Sequence, residues 1–174
     1  GSSTDLLWST AGNWDVGVPT LASDVILPDP IPNPGSLSNP NVITLGAGSL
    51  ANSLSFFAPY TLTGGDLTLA SGLISVGMAG QSFIESKLTG SSGLLKQGGG
   101  AVYLTNVAND YTGTVNIEGG SVFINSAAAL GGTGAVNVTG GNSTPSNIST
   151  IGFMGGSLVL DGSAGGFTLA RDLN

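Results

Sequence analysis

The sequence predicts an all-β fold built as a parallel β-helix, and three observations carry that expectation. Short strands with alternating apolar positions recur along the chain: Leu67-Thr68-Leu69, Val102-Tyr103-Leu104, Val115-Asn116-Ile117, Val122-Phe123-Ile124, Val136-Asn137-Val138, Leu158-Val159-Leu160 and Phe167-Thr168-Leu169. Most are opened or closed by glycine pairs, at Gly64-Gly65, Gly119-Gly120, Gly131-Gly132, Gly140-Gly141, Gly155-Gly156 and Gly165-Gly166, with a triplet at Gly98-Gly99-Gly100. Such pairs suit tight corners. The third observation is spacing: Leu54, Ile74 and Leu95 form one series and Leu62, Phe83, Leu104 and Ile124 another, at intervals of about 20 to 22 residues. Three strands of about 5 residues and three corners use roughly that length, so each strand would pair with its copy one turn on, about 4.8 Å away. An antiparallel β-sandwich also uses short strands and glycine turns, and stands as the alternative.

Taken in order, residues 1–40 read as an N-terminal cap with a proline-rich loop, and residues 41–174 as the rungs. The first segment holds both tryptophans and most of the prolines. Trp8 and Trp14, with Pro19, are expected to lie over the open hydrophobic end of the first rung, because an end rung exposes unpaired backbone groups that need a cover. Asp24-Val25-Ile26-Leu27 and Asn41-Val42-Ile43-Thr44-Leu45 read as strands. Between them Pro28, Pro30, Pro32 and Pro34 remove every second ladder donor, which predicts a rigid loop. Helix signals are nearly absent, and Ser126-Ala127-Ala128-Ala129-Leu130 is too short to stand as a helix alone. The chain breaks off at Asn174 within a strand pattern, which predicts further rungs or a neighbouring chain beyond it. Phe167, Leu169 and Leu173 are then the candidate assembly edge.

Composition narrows function. The 174 residues include 30 Gly, no Cys, no His, 3 basic and 10 acidic side chains, for a net charge of −7. Triad hydrolases that use His, thiol enzymes and Cys or His zinc sites are therefore excluded. With Lys87, Lys96 and Arg171 as the only cations, nucleic acids and anionic lipid surfaces are poor partners. No apolar run approaches about 20 residues, so membrane insertion through a helix is not expected. Charged residues make up 7% of the chain, and Ser, Thr and Asn about 30%. A solenoid accounts for this balance, because stacked like charges repel while hydroxyls and amides hydrogen-bond along a ladder.

Parallel β-helices also carry polysaccharide-cleaving enzymes, so the carboxylates need inspection. Catalysis of that kind requires acids within about 5 to 10 Å of each other, or an acidic Ca²⁺ site beside a base. The ten acids are scattered, with Asp66 and Glu85 as the one pair expected on adjacent rungs and Lys87 beside Glu85; a surface ion pair is the favoured reading. Ser86-Lys87 falls on opposite strand faces and makes no dyad. Asp24 and Asp29 read as turn residues rather than Ca²⁺ ligands. No cofactor, metal or catalytic residue is predicted. Tyr103, between inward Val102 and Leu104, is expected to be exposed, and with Tyr111 is a candidate glycan contact; Tyr111 is the more apt to pack at a corner.

Residues 92–125 carry a family signature. They run Ser92-Gly93-Leu94-Leu95-Lys96-Gln97-Gly98-Gly99-Gly100-Ala101-Val102-Tyr103-Leu104, then Asn109-Asp110-Tyr111-Thr112-Gly113, then Val115-Asn116-Ile117-Glu118-Gly119-Gly120-Ser121-Val122-Phe123-Ile124. This stretch resembles the autotransporter-associated β-strand repeat. Gln97 and the inserted acid Asp110 depart from its pattern. Trp8-Ser9-Thr10-Ala11-Gly12-Asn13-Trp14 and Leu62-Thr63-Gly64-Gly65-Asp66-Leu67 resemble segments of the same large bacterial surface proteins. The resemblance implies a right-handed β-helical passenger or stalk, extracellular, secreted or cell-surface. Its expected partners are its own further C-terminal regions or neighbouring copies as in a fibre, with cell-surface polysaccharide as a further candidate.

Overall fold

The computed structural model describes residues 6–29, 41–78, 80–139 and 156–160. Its strands are β1 (Asp24–Leu27), β2 (Asn41–Leu45), β3 (Ser49–Phe56), β4 (Tyr60–Gly64), β5 (Asp66–Val76), β6 (Gln81–Ile84), β7 (Lys87–Thr89), β8 (Leu94–Gln97), β9 (Ala101–Leu104), β10 (Val115–Ile117), β11 (Gly120–Ile124), β12 (Val136–Val138) and β13 (Gly156–Leu160). The helical content described is two 3₁₀ turns, Ala11–Asn13 and Ala127–Leu130. The second is the short alanine stretch, capped by the Ser126 hydroxyl accepting from the Ala128 N–H. No helix among the described residues is long and apolar enough to cross a membrane.

The strands form two sheets, one ordered β1-β3-β5-β8-β10-β12 with β7 also beside β5, the other β13-β11-β9-β6-β4-β2. Every strand pair among the described residues is parallel. Parallel neighbours cannot be hairpin partners, so the sandwich is set aside. The chain is a β-solenoid of about five turns. β3 and β5 are long because each runs along two sides of the rung. Ser49, Leu50 and Ala51 of β3 lie beside β5 at Leu67, Thr68 and Leu69; past a register shift, Ser53 to Phe56 lie beside Leu73 to Val76. β1 already stacks on β3 through Asp24↔Ser53 and Leu27↔Phe56. The solenoid therefore begins inside the segment read as cap and loop, before residue 41. The proline loop from residue 30 onward and the candidate edge residues Phe167, Leu169 and Leu173 lie outside the described residues.

The interior is a set of apolar columns, and their register corrects the spacing read from the sequence. Ile43, Leu62, Ile84, Leu104 and Ile124 stack on one another and are buried. The column thus passes through Ile84, not Phe83, which faces outward. On the other sheet Leu54 stacks on Ile74, but Ile74 stacks on Lys96, so Lys96 faces inward and Leu95 outward. Along this column the rungs differ in length by up to three residues at their corners, and a slip of one residue turns a strand side chain to the opposite face. Outside, hydroxyl and amide ladders run as the composition implies: Thr68 to Thr89 at 2.7 Å and Asn116 to Asn137 at 2.8 Å.

Leu104→Ala empties one element of a continuous buried column and is expected to cost about 3 kcal/mol, whereas Leu95→Ala on the outward face costs less than about 1 kcal/mol. Urea midpoints of the two variants check this register; equal losses would contradict it.

Candidate functional site

The outward face of the six-stranded sheet carries the most distinctive surface feature. Thr61 stands beside Phe83, Phe83 beside Tyr103, Tyr103 beside Phe123 and Phe123 beside Val159. The rungs fix these neighbours because β6, β9 and β11 share one register. The Phe83 and Tyr103 ring centroids are 4.6 Å apart with planes 21° from parallel, and those of Tyr103 and Phe123 are 4.4 Å apart at 12°. These separations exceed the contact thickness of about 3.5 Å, so the rings are slipped by roughly 3 Å like shingles. Each ring covers part of its neighbour's face and leaves a strip uncovered. All three are half-buried. Tyr103 is thus outward as expected, but as the middle of a ladder and not as an isolated platform.

Tyr111 is different. It is buried, and its hydroxyl donates to the Leu130 carbonyl, so it is removed from the candidate glycan contacts. It works with Asn109, also buried, whose Oδ1 accepts from the Leu88 N–H at 2.8 Å and whose Nδ2 donates to the Ala129 carbonyl at 2.7 Å. Along this side of the rung β7 is followed not by a strand but by residues 109–112, and then by the 3₁₀ turn Ala127–Leu130. Backbone bonds from the Asp110 N–H to the Leu88 carbonyl (3.1 Å) and from the Thr112 N–H to the Gly90 carbonyl (2.9 Å) join these rungs, and the Asn109 amide and Tyr111 phenol add side-chain bonds to the rungs on either side. Asp110, the inserted acid, points out and pairs with Lys87.

Lys96 is the residue that hydrophobicity missed. Its side chain is fully buried, and its Nζ donates to the carbonyls of Gln97 (2.7 Å), Gly98 (3.0 Å) and Gly119 (3.1 Å). One ammonium therefore ties a glycine corner to the corner of the next rung. Gly98 has φ of 75°, and a Cβ there would overlap the Val76 carbonyl oxygen, so this corner admits no other residue without backbone movement. Burial pushes the Lys96 ammonium down to about 8. The signal available in the sequence was phase: Leu94 and Lys96 share one face, while the adjacent leucines Leu94 and Leu95 left two phases open.

At the N-terminal side, Leu7 bridges to Thr44 in parallel, and the Trp8 N–H donates to the Thr44 carbonyl at 2.8 Å, so residues 6–8 lie along the outer edge of β2. Trp8 is buried in the apolar cluster, and Trp14 packs on it edge to face at 4.8 Å, with its Nε1 donating to the Trp8 carbonyl at 2.8 Å. Pro19 is buried. The acids serve local structure: Asp24 accepts from Ser53 (2.6 Å) and Asn52 (2.7 Å), which holds its carboxyl below the ordinary carboxylate range, and Asp66 accepts from the Gly48 N–H at 2.9 Å. The expected Asp66 and Glu85 pair does not form, because Asp66 stands beside Lys87 in the register. Ser86 is buried while Lys87 faces out. Asp29 lies near enough to Tyr60 to help burial raise that phenol's pKa.

Two outcomes are expected from these corners. Between pH about 8 and about 10.4 the unfolded chain binds a proton at Lys96 that the folded chain has released, so stability rises with pH across that window. Across it the stability of wild type relative to Lys96→Met, read from denaturant midpoints, should shift in favour of wild type, by an amount of the order of 3 kcal/mol, and a constant difference would contradict the buried ammonium. Asn109→Ala leaves the Leu88 N–H and Ala129 carbonyl unpaired in the interior and is expected to cost about 2 to 4 kcal/mol in the same assay.

No family model matches the chain, and no solved structure matches it. Among curated proteins it is similar to the adhesin BmaC autotransporter of Brucella suis biovar 1 (strain 1330), with 36% identity over 91 residues. The alignment takes in 51% of this chain and 3% of that adhesin. The chain is thus related over half its length to a small part of an autotransporter adhesin.

Proposed function

We propose that the chain is a non-catalytic structural segment of a bacterial surface adhesin, a stiff solenoid that extends or displays other regions of the protein outside the cell. The observation that carries the reading is the continuous parallel stacking of rungs around closed apolar columns. Such stacking makes a rod in which each turn is held by its neighbours. The likeness to part of an autotransporter adhesin supports a surface or secreted setting. The placement of the chemistry-bearing residues agrees with a structural role: Lys96, Asn109, Tyr111, Asp24 and Asp66 are all engaged with backbone or neighbouring side chains. A rod of this kind presents few flexible loops to proteases.

The test is antibody labelling of intact cells of the source bacterium, with antibodies raised against this folded segment. Labelling without permeabilisation, lost on mild surface proteolysis only after other surface proteins are cleaved, is the expected result. Labelling that appears only in permeabilised cells would overturn the reading.

A further inference from the structure

We propose that the outward aromatic ridge of the six-stranded sheet, Phe83, Tyr103 and Phe123, binds a neutral linear glycan lying along the stacking direction; this rests on the surface-protein reading above and names its ligand class. Four features of the ridge converge on that class. The slipped stack leaves strips of aromatic face and edge in a continuous apolar line, which suits the C–H faces of successive sugar rings. Polar side chains run beside the line at the rung repeat: Gln81 lies two positions before Phe83, Thr105 two after Tyr103 and Asn125 two after Phe123, all at least partly exposed on the same face. Amide and hydroxyl groups of this kind both donate and accept, as sugar hydroxyls require.

Charge decides between glycans. Glu85 is the one charged side chain on these outward columns among the described residues, and the chain as a whole carries −7. An anionic polysaccharide or a phosphate polymer would meet repulsion and, among the described residues, no cation on these columns. Size decides against a protein. Three rungs at about 4.8 Å give an apolar strip on the order of 100 Å², against roughly 800 Å² that each partner buries in a stable protein interface. A polymer that repeats its contacts along the rod gains from multivalency what a single strip lacks.

The experiment titrates the purified chain with neutral linear hexasaccharides (cellohexaose, maltohexaose, laminarihexaose and chitohexaose) by calorimetry and ligand-observed NMR, with oligogalacturonate as the anionic comparison. At least one neutral hexasaccharide is expected to bind with a Kd of about 1 mM or tighter, with no binding of oligogalacturonate. Tyr103→Ala should weaken it about tenfold, while Tyr103→Phe and Leu95→Ala on the opposite sheet leave it within about twofold. Phe123→Leu keeps an apolar side chain on the strand and removes one ring of the ridge, so it should weaken binding even if Tyr103→Ala disturbs folding, which circular dichroism reports. Absence of binding by all four neutral probes at about 10 mM, binding confined to oligogalacturonate, or equal affinity in the folded variants would overturn the proposal. A segment that is surface-exposed on cells yet binds none of these sugars overturns the ridge site alone and leaves the structural reading standing.

Discussion

The rest of the structure depends on one constraint, the parallel pairing of each rung with the next at a fixed spacing of about 4.8 Å. Parallel pairing in register places like positions over like positions, so each side chain meets its counterparts above and below before it meets anything else. Apolar residues facing inward then form columns, as Ile43, Leu62, Ile84, Leu104 and Ile124 do. Hydroxyls and amides facing outward hydrogen-bond along the rod, as Thr68 with Thr89 and Asn116 with Asn137 do. Aromatic residues stack. Charges must be sparse, or must alternate in sign, as Lys87 does beside Asp66 and against Asp110. A composition with 7% charged residues is the chemical form of that constraint.

Corners are where the ladder is hardest to maintain, and the chain adds polar side chains there to the backbone bonds that remain. Lys96 gathers three carbonyls from two successive glycine corners. Asn109 spans from Leu88 to Ala129, and Tyr111 reaches Leu130. Each satisfies groups that would otherwise be buried and unpaired, at a cost of about 1 to 3 kcal/mol apiece. Lys96, Asn109 and Tyr111 are thus internal fasteners.

The outward faces are what remain for recognition. One of them concentrates three aromatic rings between polar columns, and it sits on β6, β9 and β11, strands held on both sides by ladder bonds and beneath by buried Ile84, Leu104 and Ile124. A surface built on strands rather than loops is preorganised, so ordering it on binding costs little. A rod that repeats such a face would add weak contacts along its length.

The sequence by itself determined the all-β class, the rung length, the glycine corners and the polar exterior, because these follow from composition and from the period of the apolar pattern. It also excluded chemistry that requires His or Cys. Register was decided only by the tertiary structure. Corners differ by up to three residues from rung to rung, and a difference of one inverts a strand, so the series read through Phe83 and Leu95 passes instead through Ile84 and Lys96. Lys96 was illegible for a second reason: a charge is interior only when carbonyls from another rung converge on it, and Gly119 is 23 residues away. Asn109 and Tyr111 stood in a recognisable motif, yet their partners at Leu88, Ala129 and Leu130 belong to neighbouring turns. The aromatic ridge was visible only as Tyr103, since Phe83 and Phe123 become its neighbours when the rungs stack.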